Sequence, residues 1–414
     1  MRIVRTTNRR ALERLFARDR ARDREVALKA ARIVADVRRR GDRALTRWMR
    51  ELDDVKPPFD VTRRAMDEGW RRTSPEVRRA IRKAARAVRT VAERQLPRSF
   101  AVDTADGVRI EQRVRPFGRV GCYVPGGRHP LPSTVLMTAV PAAVAGVGDI
   151  VVACPRPAPE VLCAAVEAGV SRVLRIGGAQ AIAALAYGTT SIARVDKIAG
   201  PGNVWVTAAK ALVASDCAID LPAGPSEIVV CANRGRADWI AIDLVAQAEH
   251  DPQARAVFVT TSSRLAAGVS SAIGAMRLAA GPARASLAKH GAIVIARTRG
   301  EAVEIVNRLA PEHLVCDAPF DPDQFTTAGT IFRGRWSAQA AGDYATGSNH
   351  VLPTGGAART RGGLSTSDFV RTFTVQTIGE RGLRAIGPAA IALAKAEGLE
   401  AHAESIAIRL RPEF

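Results

Sequence analysis

The chain has 414 residues, of which 47% are hydrophobic, so it is long enough to form two or more domains with buried cores. No run of about 18 apolar residues is present, and the arginine-rich start lacks the apolar segment of a secretory signal, so the sequence predicts a soluble cytoplasmic protein. The six cysteines are scattered without C-x-x-C spacing, which indicates reduced, buried side chains rather than disulfides or a thiolate zinc cluster.

The net charge of +20 raises the question of a nucleic-acid partner. Arginine is densest before residue 100, in segments such as "VALKAARIVADVRRRGDRALTRWM", whose apolar residues recur at helical spacing. These charges are therefore expected on the solvent-facing sides of helices, and no helix-turn-helix or aromatic-rich strand pattern accompanies them. We expect no specific nucleic-acid partner, and only nonspecific attraction to polyanions at low salt.

The first 100 residues or so are predicted to be helical. The pattern indicates a capped start at Thr7, a long helix through Met49 and a further helix after Ser74, with Pro75 in its first turn. A β-prone stretch, "VRIEQRVRPFGRVGCYVP", follows these helices.

From there, short apolar runs rich in Val and Ile alternate with Ala-rich helical runs. Examples are the strand-like "IVVACP" and "IVVCAN" and the helical "AQAIAALAYG" and "ADWIAIDLVAQAE". Continuous apolar strands between amphipathic helices are typical of parallel sheets covered on both faces, so the predicted fold class is α/β. The units suffice for two sheets, and "DLPAGPSEIV" at residues 220–229, which contains Pro222, is the best candidate for a crossing between them. After about residue 370, a strand-like "TFTVQTI" and two helical segments either cap the fold or reach into a partner subunit.

The stretch "LVAQAEHDPQA" places Gln247 and His250 three residues apart near the end of a predicted helix. At this spacing both side chains would project from one helix face, before Asp251 and Pro252 end the helix. One interpretation is a histidine that interacts with the helix dipole. The other is a metal site, which needs further ligands.

Three other segments supply candidate acids and histidines. Glu312 and His313 are adjacent in "APEHL", Asp343 and His350 lie in the glycine-rich "AGDYATGSNHVLPTGG", and Glu397 and His402 lie in "AEGLEAH". This set has no local spacing such as H-E-x-x-H, so the sequence leaves a dispersed zinc site with nitrogen and oxygen ligands open without specifying it.

Three glycine-rich turns are candidates for a cofactor site. They are "GRVGCYVPGG", "RIGGAQAIAALA" and "KIAGPGNVWV", none of which has the G-x-G-x-x-G spacing of a dinucleotide-binding turn. Each leads from a strand through glycine into a helix, where main-chain N–H groups can bind phosphate. Ordinary tight turns that need glycine are the alternative interpretation.

Taken together, these strings closely resemble the histidinol dehydrogenase family. From about residue 20 to the C-terminus the chain carries, in order, "GRVGCYVPGG", "RIGGAQAIAALAYGT", "KIAGPGNVWVTAAK", "DLPAGPSEIVV", "QAEHDP", "APEHL", "GDYATGSNHVLPTGG" and "AEGLEAHAESIAIRL". Each string alone is weak, but the set is highly specific.

The resemblance implies two incomplete Rossmann-like domains with parallel-sheet cores, a helical N-terminal arm and a C-terminal tail. The expected boundaries are residues 1–22 for the arm, 23–113 with 223–365 for the first domain, 114–222 for the second domain and 366–414 for the tail. The resemblance also implies a homodimer that exchanges the tail between subunits, so that Glu397 and His402 act in the partner's site.

The resemblance further implies one zinc ion per subunit and NAD as cofactor. The positions that match zinc ligands are Gln247, His250, Asp343 and His402. Those that match substrate contacts are Ser226, Gln247, His250, His313, Asp343, Glu397 and His402. Those that match NAD contacts are Tyr123, Gln180 and Asn203, and the catalytic acid/base pair matches Glu312 and His313.

The implied reaction is the NAD-linked oxidation of L-histidinol through L-histidinal to L-histidine, in histidine biosynthesis. His313 would take the hydroxyl proton in each oxidation, and Glu312 would activate the water that hydrates the aldehyde. Zinc would orient the substrate rather than activate a water.

Departures from the family pattern keep other functions open. Arg361 and Gly362 stand where small hydroxyl-bearing residues are expected, so a paralogous zinc- and NAD-dependent dehydrogenase of another small polar alcohol is one alternative. A zinc hydrolase without a dinucleotide site and a basic nucleic-acid or scaffold protein on an inherited enzyme fold are alternatives from other classes.

Overall fold

The computed structural model describes residues 1–17, 21–127, 129–221 and 224–411. The chain forms two compact units, the first from Met1–Gln95 and Gly118–Phe369, the second from Leu96–Phe117 and Val370–Phe414. Parallel sheets interleaved with helices confirm the predicted α/β class.

The strands, in chain order, are β1 (Arg2–Arg5), β2 (Asp60–Val61), β3 (Phe100–Ala105), β4 (Val108–Pro116), β5 (Arg119–Tyr123), β6 (Asp149–Ala153), β7 (Arg172–Leu174), β8 (Lys197–Ala199), β9 (Ala218–Ile219), β10 (Glu227–Cys231), β11 (Arg255–Thr260), β12 (Ala292–Ile295), β13 (His313–Cys316), β14 (Thr330–Arg333) and β15 (Val370–Ile378).

The helices, in chain order, are α1 (Arg9–Phe16), α2 (Ala21–Asp53), α3 (Arg63–Arg72), α4 (Pro75–Gln95), α5 (Pro132–Ala145), α6 (Pro159–Glu167), α7 (Gly178–Tyr187), α8 (Val204–Val213), α9 (Ala237–Ala248), α10 (Ser263–Ala275), α11 (Pro282–Lys289), α12 (Arg299–Leu309), α13 (Gln339–Gly342), α14 (Glu380–Ala396) and α15 (Glu400–Ala407).

The first unit contains two sheets, each of six strands within the described ranges. The first sheet has the order β1-β12-β11-β10-β13-β14 and is parallel throughout. The second has the order β2-β7-β6-β5-β8-β9 and is parallel except where β2 pairs with β7. All strands of the first sheet therefore run in the same direction, with their amino ends along one side of the sheet and their carboxyl ends along the other.

Both faces of the first sheet are covered by helices. Every residue of β10 is buried, with Val230 in a cluster that includes Leu244 of α9 and Val229 in a separate cluster that includes Ile305 of α12. Successive side chains of a strand point to opposite faces, so a strand covered on both sides must be apolar at successive positions. This explains the continuous apolar run that predicted the strand.

Three helices from the first 95 residues, α2, α3 and α4, pack on the helices of the second sheet. Helix α2 contacts α7 and α8, α3 contacts α6, and α4 contacts α5. Leu45 and Met49 of α2 share one buried cluster with Ile182 of α7. The expected boundaries had grouped residues 23–113 with residues 223–365, whereas α2, α3 and α4 pack on helices of the second sheet.

The second unit is built on a three-stranded antiparallel sheet of order β15-β4-β3. The turn between β3 and β4 lies against the start of α14, where Gly379 N donates to Gly107 O at 2.9 Å. A Cβ on Gly382 would overlap that same oxygen, so only glycine allows this approach. The tail is thus joined to residues 96–117, most of which the expected boundaries had placed in the first domain, because β4 pairs along its whole length with β15.

Local details at the N-terminus differ slightly from the predictions. Asn8 rather than Thr7 caps α1, because its side chain accepts a hydrogen bond from Ala11 N at 3.1 Å. The long helix predicted through Met49 is present as α2, which continues to Asp53 and is interrupted at Gly41, which has a φ of 50°.

The crossing between the sheets falls where the sequence predicted it. Pro222 lies outside the described residues, but β9 belongs to the second sheet and β10 to the first, so the chain passes from one to the other between Ile219 and Glu227. All six cysteines are buried and free, as predicted. No helix in the described part of the chain combines the length and apolar character needed to cross a membrane.

Candidate active site

The predicted catalytic pair, Glu312 and His313, lies at the amino end of β13, beside the amino end of the neighbouring strand β10. Strands β10 and β13 are parallel and pair with Ile228 opposite His313. Ser226 and Glu227, at the start of β10, therefore lie beside Glu312 and His313. Open α/β sheets usually bind ligands at the carboxyl ends of their strands. This site lies at the opposite, amino-terminal end of the strands.

Glu312 is a buried carboxyl, 6% exposed, at this edge. Its Oε2 accepts hydrogen bonds from Ser226 Oγ at 2.6 Å and from the main-chain N–H of Glu227 at 2.8 Å. Burial raises the pKa of Glu312 from 4.5 to about 7, although these two hydrogen bonds act to lower it. Glu312 can therefore exchange a proton near neutral pH.

His313 is 3% exposed, and its Nδ1 lies 3.2 Å from the carbonyl oxygen of Glu227. Since a carbonyl can only accept, Nδ1 carries the proton of the neutral ring and Nε2 presents the lone pair. Nε2 lies 3.7 Å from Asp343 Oδ1, and Nδ1 lies 3.6 Å from Glu312 Oε2. Burial lowers the pKa of His313, so the ring is a neutral base at neutral pH.

Gln247 lies in the last turn of α9 and is completely buried. Its Nε2 donates to Ser226 Oγ, whereas its Oε1 has no hydrogen-bond partner among the described residues. The helix ends at Ala248, so His250 lies in the turn that follows and not on the helix face that the sequence predicted. There the main-chain N–H of His250 donates to the Gln247 carbonyl at 3.3 Å, which keeps the two residues together.

Asp343 follows the short helix α13 and lies between the two histidines. Its Oδ2 is 3.9 Å from His250 Nε2 and its Oδ1 is 3.7 Å from His313 Nε2. Gln339 Nε2 donates to Asp343 Oδ2 at 3.0 Å and so orients the carboxylate. Sequence reasoning missed Gln339, for which the four-residue spacing within "QAAGD" was the available signal.

His350 supports the main chain of Asp343. Its Nδ1 lies 2.9 Å from the carbonyl oxygen of Asp343, and its Nε2 lies 3.5 Å from Thr134 Oγ1 at the start of α5. Asn349 Nδ2 also donates to the Met137 carbonyl of α5 at 2.7 Å. The loop of Asp343 is thus attached to the helix that follows β5 of the second sheet.

Three atoms of the first unit are candidate metal donors: Gln247 Oε1, His250 Nε2 and Asp343 Oδ2. Within the part of the chain that the structure describes, no group of three or more His, Cys, Asp or Glu side chains converges as a metal site, so this set depends on the glutamine oxygen. A histidine nitrogen and a carboxylate oxygen are usual zinc ligands. The fit is supported by Gln247 Oε1, because a buried oxygen without a partner is costly unless a cation or a donor reaches it.

The predicted cofactor residues lie at the carboxyl ends of strands of the second sheet, where parallel sheets bind dinucleotides. Tyr123 ends β5, Gln180 is in the first turn of α7 after β7, and Asn203 precedes α8 after β8. Tyr123 Oη accepts a hydrogen bond from Gly178 N at 3.1 Å, which joins Tyr123 to the turn before Gln180. Asn203 is exposed, and its Oδ1 caps α8 by accepting from two main-chain N–H groups.

Gln180 is completely buried beside the end of α2. Its Nε2 donates to Asp53 Oδ2 at 2.8 Å, and its Oε1 has no partner in the described ranges. Burial raises the pKa of Asp53. Sequence reasoning missed Asp53, because neither composition nor spacing connects residues that are 127 positions apart.

Glu397 and His402 belong to the second unit. Glu397 is the C-terminal cap of α14, and His402 lies in α15, where its main-chain N–H donates to Leu399 O at 3.0 Å. Both side chains are exposed within that unit. They are therefore accessible to a ligand or a second subunit.

Comparison with known proteins identifies the family. The sequence model of histidinol dehydrogenase matches residues 16–410. The chain belongs to the histidinol dehydrogenase family. Histidinol dehydrogenases of Gluconobacter oxydans and Methanothermobacter thermautotrophicus are each 45% identical to it, over 94% and 92% of this chain and equal shares of their own. Membership of the histidinol dehydrogenase family makes the chain an oxidoreductase.

The structure agrees with that of a solved histidinol dehydrogenase. The enzyme from Elizabethkingia anophelis superposes with a TM-score of 0.91 and 31% sequence identity, covering 99% of this chain and 98% of that one. The family resemblance predicted from the motifs is therefore confirmed over nearly the whole chain.

Proposed function

We propose that the chain is a zinc-dependent, NAD-linked enzyme that oxidises L-histidinol through L-histidinal to L-histidine, as part of histidine biosynthesis in the cytoplasm. The observation that carries the proposal is the grouping of five side chains: His313 lies beside Glu312 and Asp343, Asp343 lies beside His250, and Gln247 is joined to Glu312 through Ser226. A buried imidazole with a lowered pKa and a buried carboxyl with a pKa of about 7 lie there beside nitrogen and oxygen donors suited to a cation.

His313 is the proposed base of both oxidations. Its Nε2 lone pair takes the hydroxyl proton of the alcohol in the first oxidation and of the hydrated aldehyde in the second. The lowered pKa supports this role, because a ring that is neutral at pH 7 is ready to accept a proton. NAD, when bound, supplies the hydride acceptor for each oxidation.

Glu312 is the proposed base for hydration of the aldehyde. Hydrogen bonds from Ser226 and from the Glu227 N–H engage its Oε2, which leaves Oε1 to take a proton from the attacking water. A pKa raised to about 7 supports the assignment, because a base is most effective when its pKa lies near the working pH.

Zinc is proposed to be held, one ion per subunit, by Gln247, His250 and Asp343 of one subunit and by His402 of the partner subunit. When bound, zinc supplies a positive charge that holds the imidazole and amino nitrogens of the substrate. Ser226 and Glu397 are the proposed further substrate contacts. The unpartnered, buried Gln247 Oε1 supports this ligand set.

NAD is proposed to bind along the carboxyl ends of β5, β7 and β8, in contact with Tyr123, Gln180 and Asn203. The attachment of the Asp343 loop to α5, through His350 and Asn349, supports a cofactor site that adjoins the proton-transfer residues. The two sheets are the proposed cores of two incomplete Rossmann-like domains.

A homodimer is the proposed working form, with residues 366–414 of each subunit completing the partner's site. The exposed positions of Glu397 and His402 support this exchange, because neither side chain is engaged by a hydrogen bond or ion pair within the described residues. Each active site would then contain residues of both subunits.

Arg361, the departure that raised a paralogue as an alternative, donates hydrogen bonds to the Asp220 carbonyl and to Asp368. It contacts none of the proposed substrate residues through these bonds. The departure therefore does not favour a different alcohol as substrate.

The number of NADH formed per L-histidinol consumed, with and without a strong chelator, tests the proposal. We expect two NADH per L-histidinol, a loss of activity on chelation and recovery with zinc. A zinc-loaded protein that fails to turn over L-histidinol would favour the paralogue. Ester or amide hydrolysis without NAD would favour the zinc hydrolase.

A further inference from the structure

The turn that carries Asn203 is bound by a buried ion pair. Residues 200–203, "GPGN", connect β8 to α8. Lys210, on α8, and Asp220, just after β9, have side chains that are 3% and 1% exposed, and Lys210 Nζ donates to Asp220 Oδ1. Both charged groups also bind the turn, since Lys210 Nζ donates to Gly200 O at 3.1 Å and Gly200 N donates to Asp220 Oδ2 at 2.7 Å.

The same turn lies against Tyr123. Gly200 has a φ of +121°, and a Cβ at this position would overlap the carbonyl oxygen of Tyr123. The main chain at Gly200 therefore packs directly on the end of β5. The ion pair therefore binds the turn at Gly200, where the turn packs on Tyr123 and three residues before Asn203.

Arg361 connects Asp220 to a second carboxylate, Asp368. Its Nη1 donates to the Asp220 carbonyl, and its Nη2 donates to Asp368 Oδ1 at 2.6 Å. Lys197 Nζ lies 3.5 Å from the same Asp368 oxygen. Although burial alone would raise the pKa of Asp368, Lys197 and Arg361 help to hold it below its ordinary value, so the carboxylate stays charged.

Stability alone does not explain a buried pair of this kind. Burying two charges costs desolvation, and well-packed apolar side chains of similar volume are often as stabilising. The hydrogen bonds of Lys210 and the Asp220 carboxylate end on Gly200, on each other or on the main-chain N–H of Leu221. What the pair contributes is therefore the position of the turn.

We propose that Lys210, Asp220 and Arg361 are positioning residues for the dinucleotide. They fix turn 200–203 in the conformation that presents Asn203 and the start of α8 to the cofactor. This inference rests on the proposed function, because it takes the Asn203 turn to be part of the NAD site.

The test removes both buried charges together, in the double variant Lys210→Met with Asp220→Asn, because removing one alone would leave an unpaired buried charge. Arg361→Gln is a second, milder variant that decides the outcome if the double variant does not fold. Asp36→Asn is the matched control, since Asp36 is a buried carboxylate of α2 that binds Arg40, Arg47 and Trp48 and not the turn.

The measurements are the Kd of NAD from fluorescence titration, the separate KM values for NAD and L-histidinol, and amide hydrogen exchange of peptides that cover the turn. We expect the double variant to raise the Kd and KM for NAD about tenfold or more, with the KM for L-histidinol within about twofold. Exchange is expected to quicken in the turn. Arg361→Gln should shift the same quantities in the same direction by a smaller factor, and Asp36→Asn should leave all of them unchanged.

Two results would overturn the inference. One is a Kd for NAD that is unchanged in the folded double variant or in Arg361→Gln. The other is an equal rise in both KM values with no change of exchange in the turn, which would mark the pair as merely structural. If the unaltered protein binds no NAD, the proposed function fails first, and the cofactor role of the pair fails with it.

Discussion

His313 Nδ1 lies 3.2 Å from the carbonyl oxygen of Glu227, the first residue of the neighbouring parallel strand. The pairing of β10 with β13 fixes this contact, because Ile228 is opposite His313. The imidazole is therefore oriented by the sheet itself, with Nε2 left as the proton acceptor before any ligand binds. A base held in this way needs no reorganisation during the reaction.

Replacing His313 by Asn tests this orientation. The amide can still donate to the Glu227 carbonyl, but the variant loses the Nε2 lone pair. We expect kcat for L-histidinol oxidation to fall by a factor of about 10² to 10⁴, the usual contribution of a general base, while zinc content stays the same. NADH formation and metal analysis of the same sample check both parts, and wild-type turnover in the variant would refute the assignment.

Zinc binding is expected to depend on His250 and His402 but not on every histidine. His250→Asn and His402→Asn should each lower zinc affinity at least tenfold or so, because each removes a proposed ligand from the set. His290→Asn is the control, since His290 lies at the end of α11 with its Nε2 3.1 Å from Gln253 Oε1. Zinc per subunit after dialysis against a weak chelator is the measurement. Full occupancy in His402→Asn would remove the tail from the ligand set.

Glu312 combines a proposed catalytic role with a cost in stability. Burial raises its pKa from 4.5 to about 7, so the folded protein binds a proton more tightly than the unfolded chain does. The stabilisation from this proton is fully present below pH 4.5 and is lost as the pH rises through about 7. Above that pH the folded state carries a buried charge at a cost of about 3 kcal/mol.

Glu312→Gln should separate these two effects. The amide oxygen can still accept from Ser226 and Glu227, so we expect the zinc-free variant to gain about 3 kcal/mol more relative to the wild type at pH 8.5 than at pH 4.5. Oxidation of L-histidinal to L-histidine should nevertheless be largely lost. Urea denaturation at the two pH values gives the first quantity. A stability difference that does not change with pH would contradict the raised pKa.

Much of the fold could be predicted from the sequence because strands covered on both faces leave continuous apolar runs. The "IVVC" of β10 is an example, since Val229 and Val230 are buried in different clusters. The packing of α2 could not be predicted in the same way. Its apolar stripe shows that one face is buried, but the pattern does not show which sheet that face packs against. In the structure Met49 shares a buried cluster with Ile182 of the second sheet's helix α7.

Residues of the candidate site could be predicted from the sequence where they belong to a local motif. Hydrogen-bond partners from distant segments of the chain could not. "APEHL" and "QAEHDP" pointed to His313 and His250, yet no spacing rule pairs Gln180 with Asp53 or Arg361 with Asp220. Open α/β sheets usually bind ligands at the carboxyl ends of their strands, whereas Glu312 lies at the amino end of β13. Sheet topology alone would therefore have predicted a site at the opposite end of the strands.

The close approach of Gly200 to Tyr123 leads to a prediction that separates steric overlap from backbone strain. Gly200 and Gly235 have nearly the same φ, +121° and +122°, which an L side chain rarely adopts. A Cβ at Gly200 would overlap the Tyr123 carbonyl, whereas nothing lies within 4 Å of a Cβ at Gly235. The two alanine variants therefore share the strain and differ in the overlap.

We expect Gly235→Ala to lower the free energy of unfolding by about 1–3 kcal/mol, from backbone strain alone. Gly200→Ala should lose about 1–3 kcal/mol more, because the end of β8 must move away from β5 to relieve the overlap. That movement displaces the turn of Asn203, so the KM for NAD should rise in Gly200→Ala and stay unchanged in Gly235→Ala. Urea denaturation and steady-state kinetics measure the two effects. Equal stability losses with equal KM values would mean that the contact between Gly200 and Tyr123 does not constrain the turn.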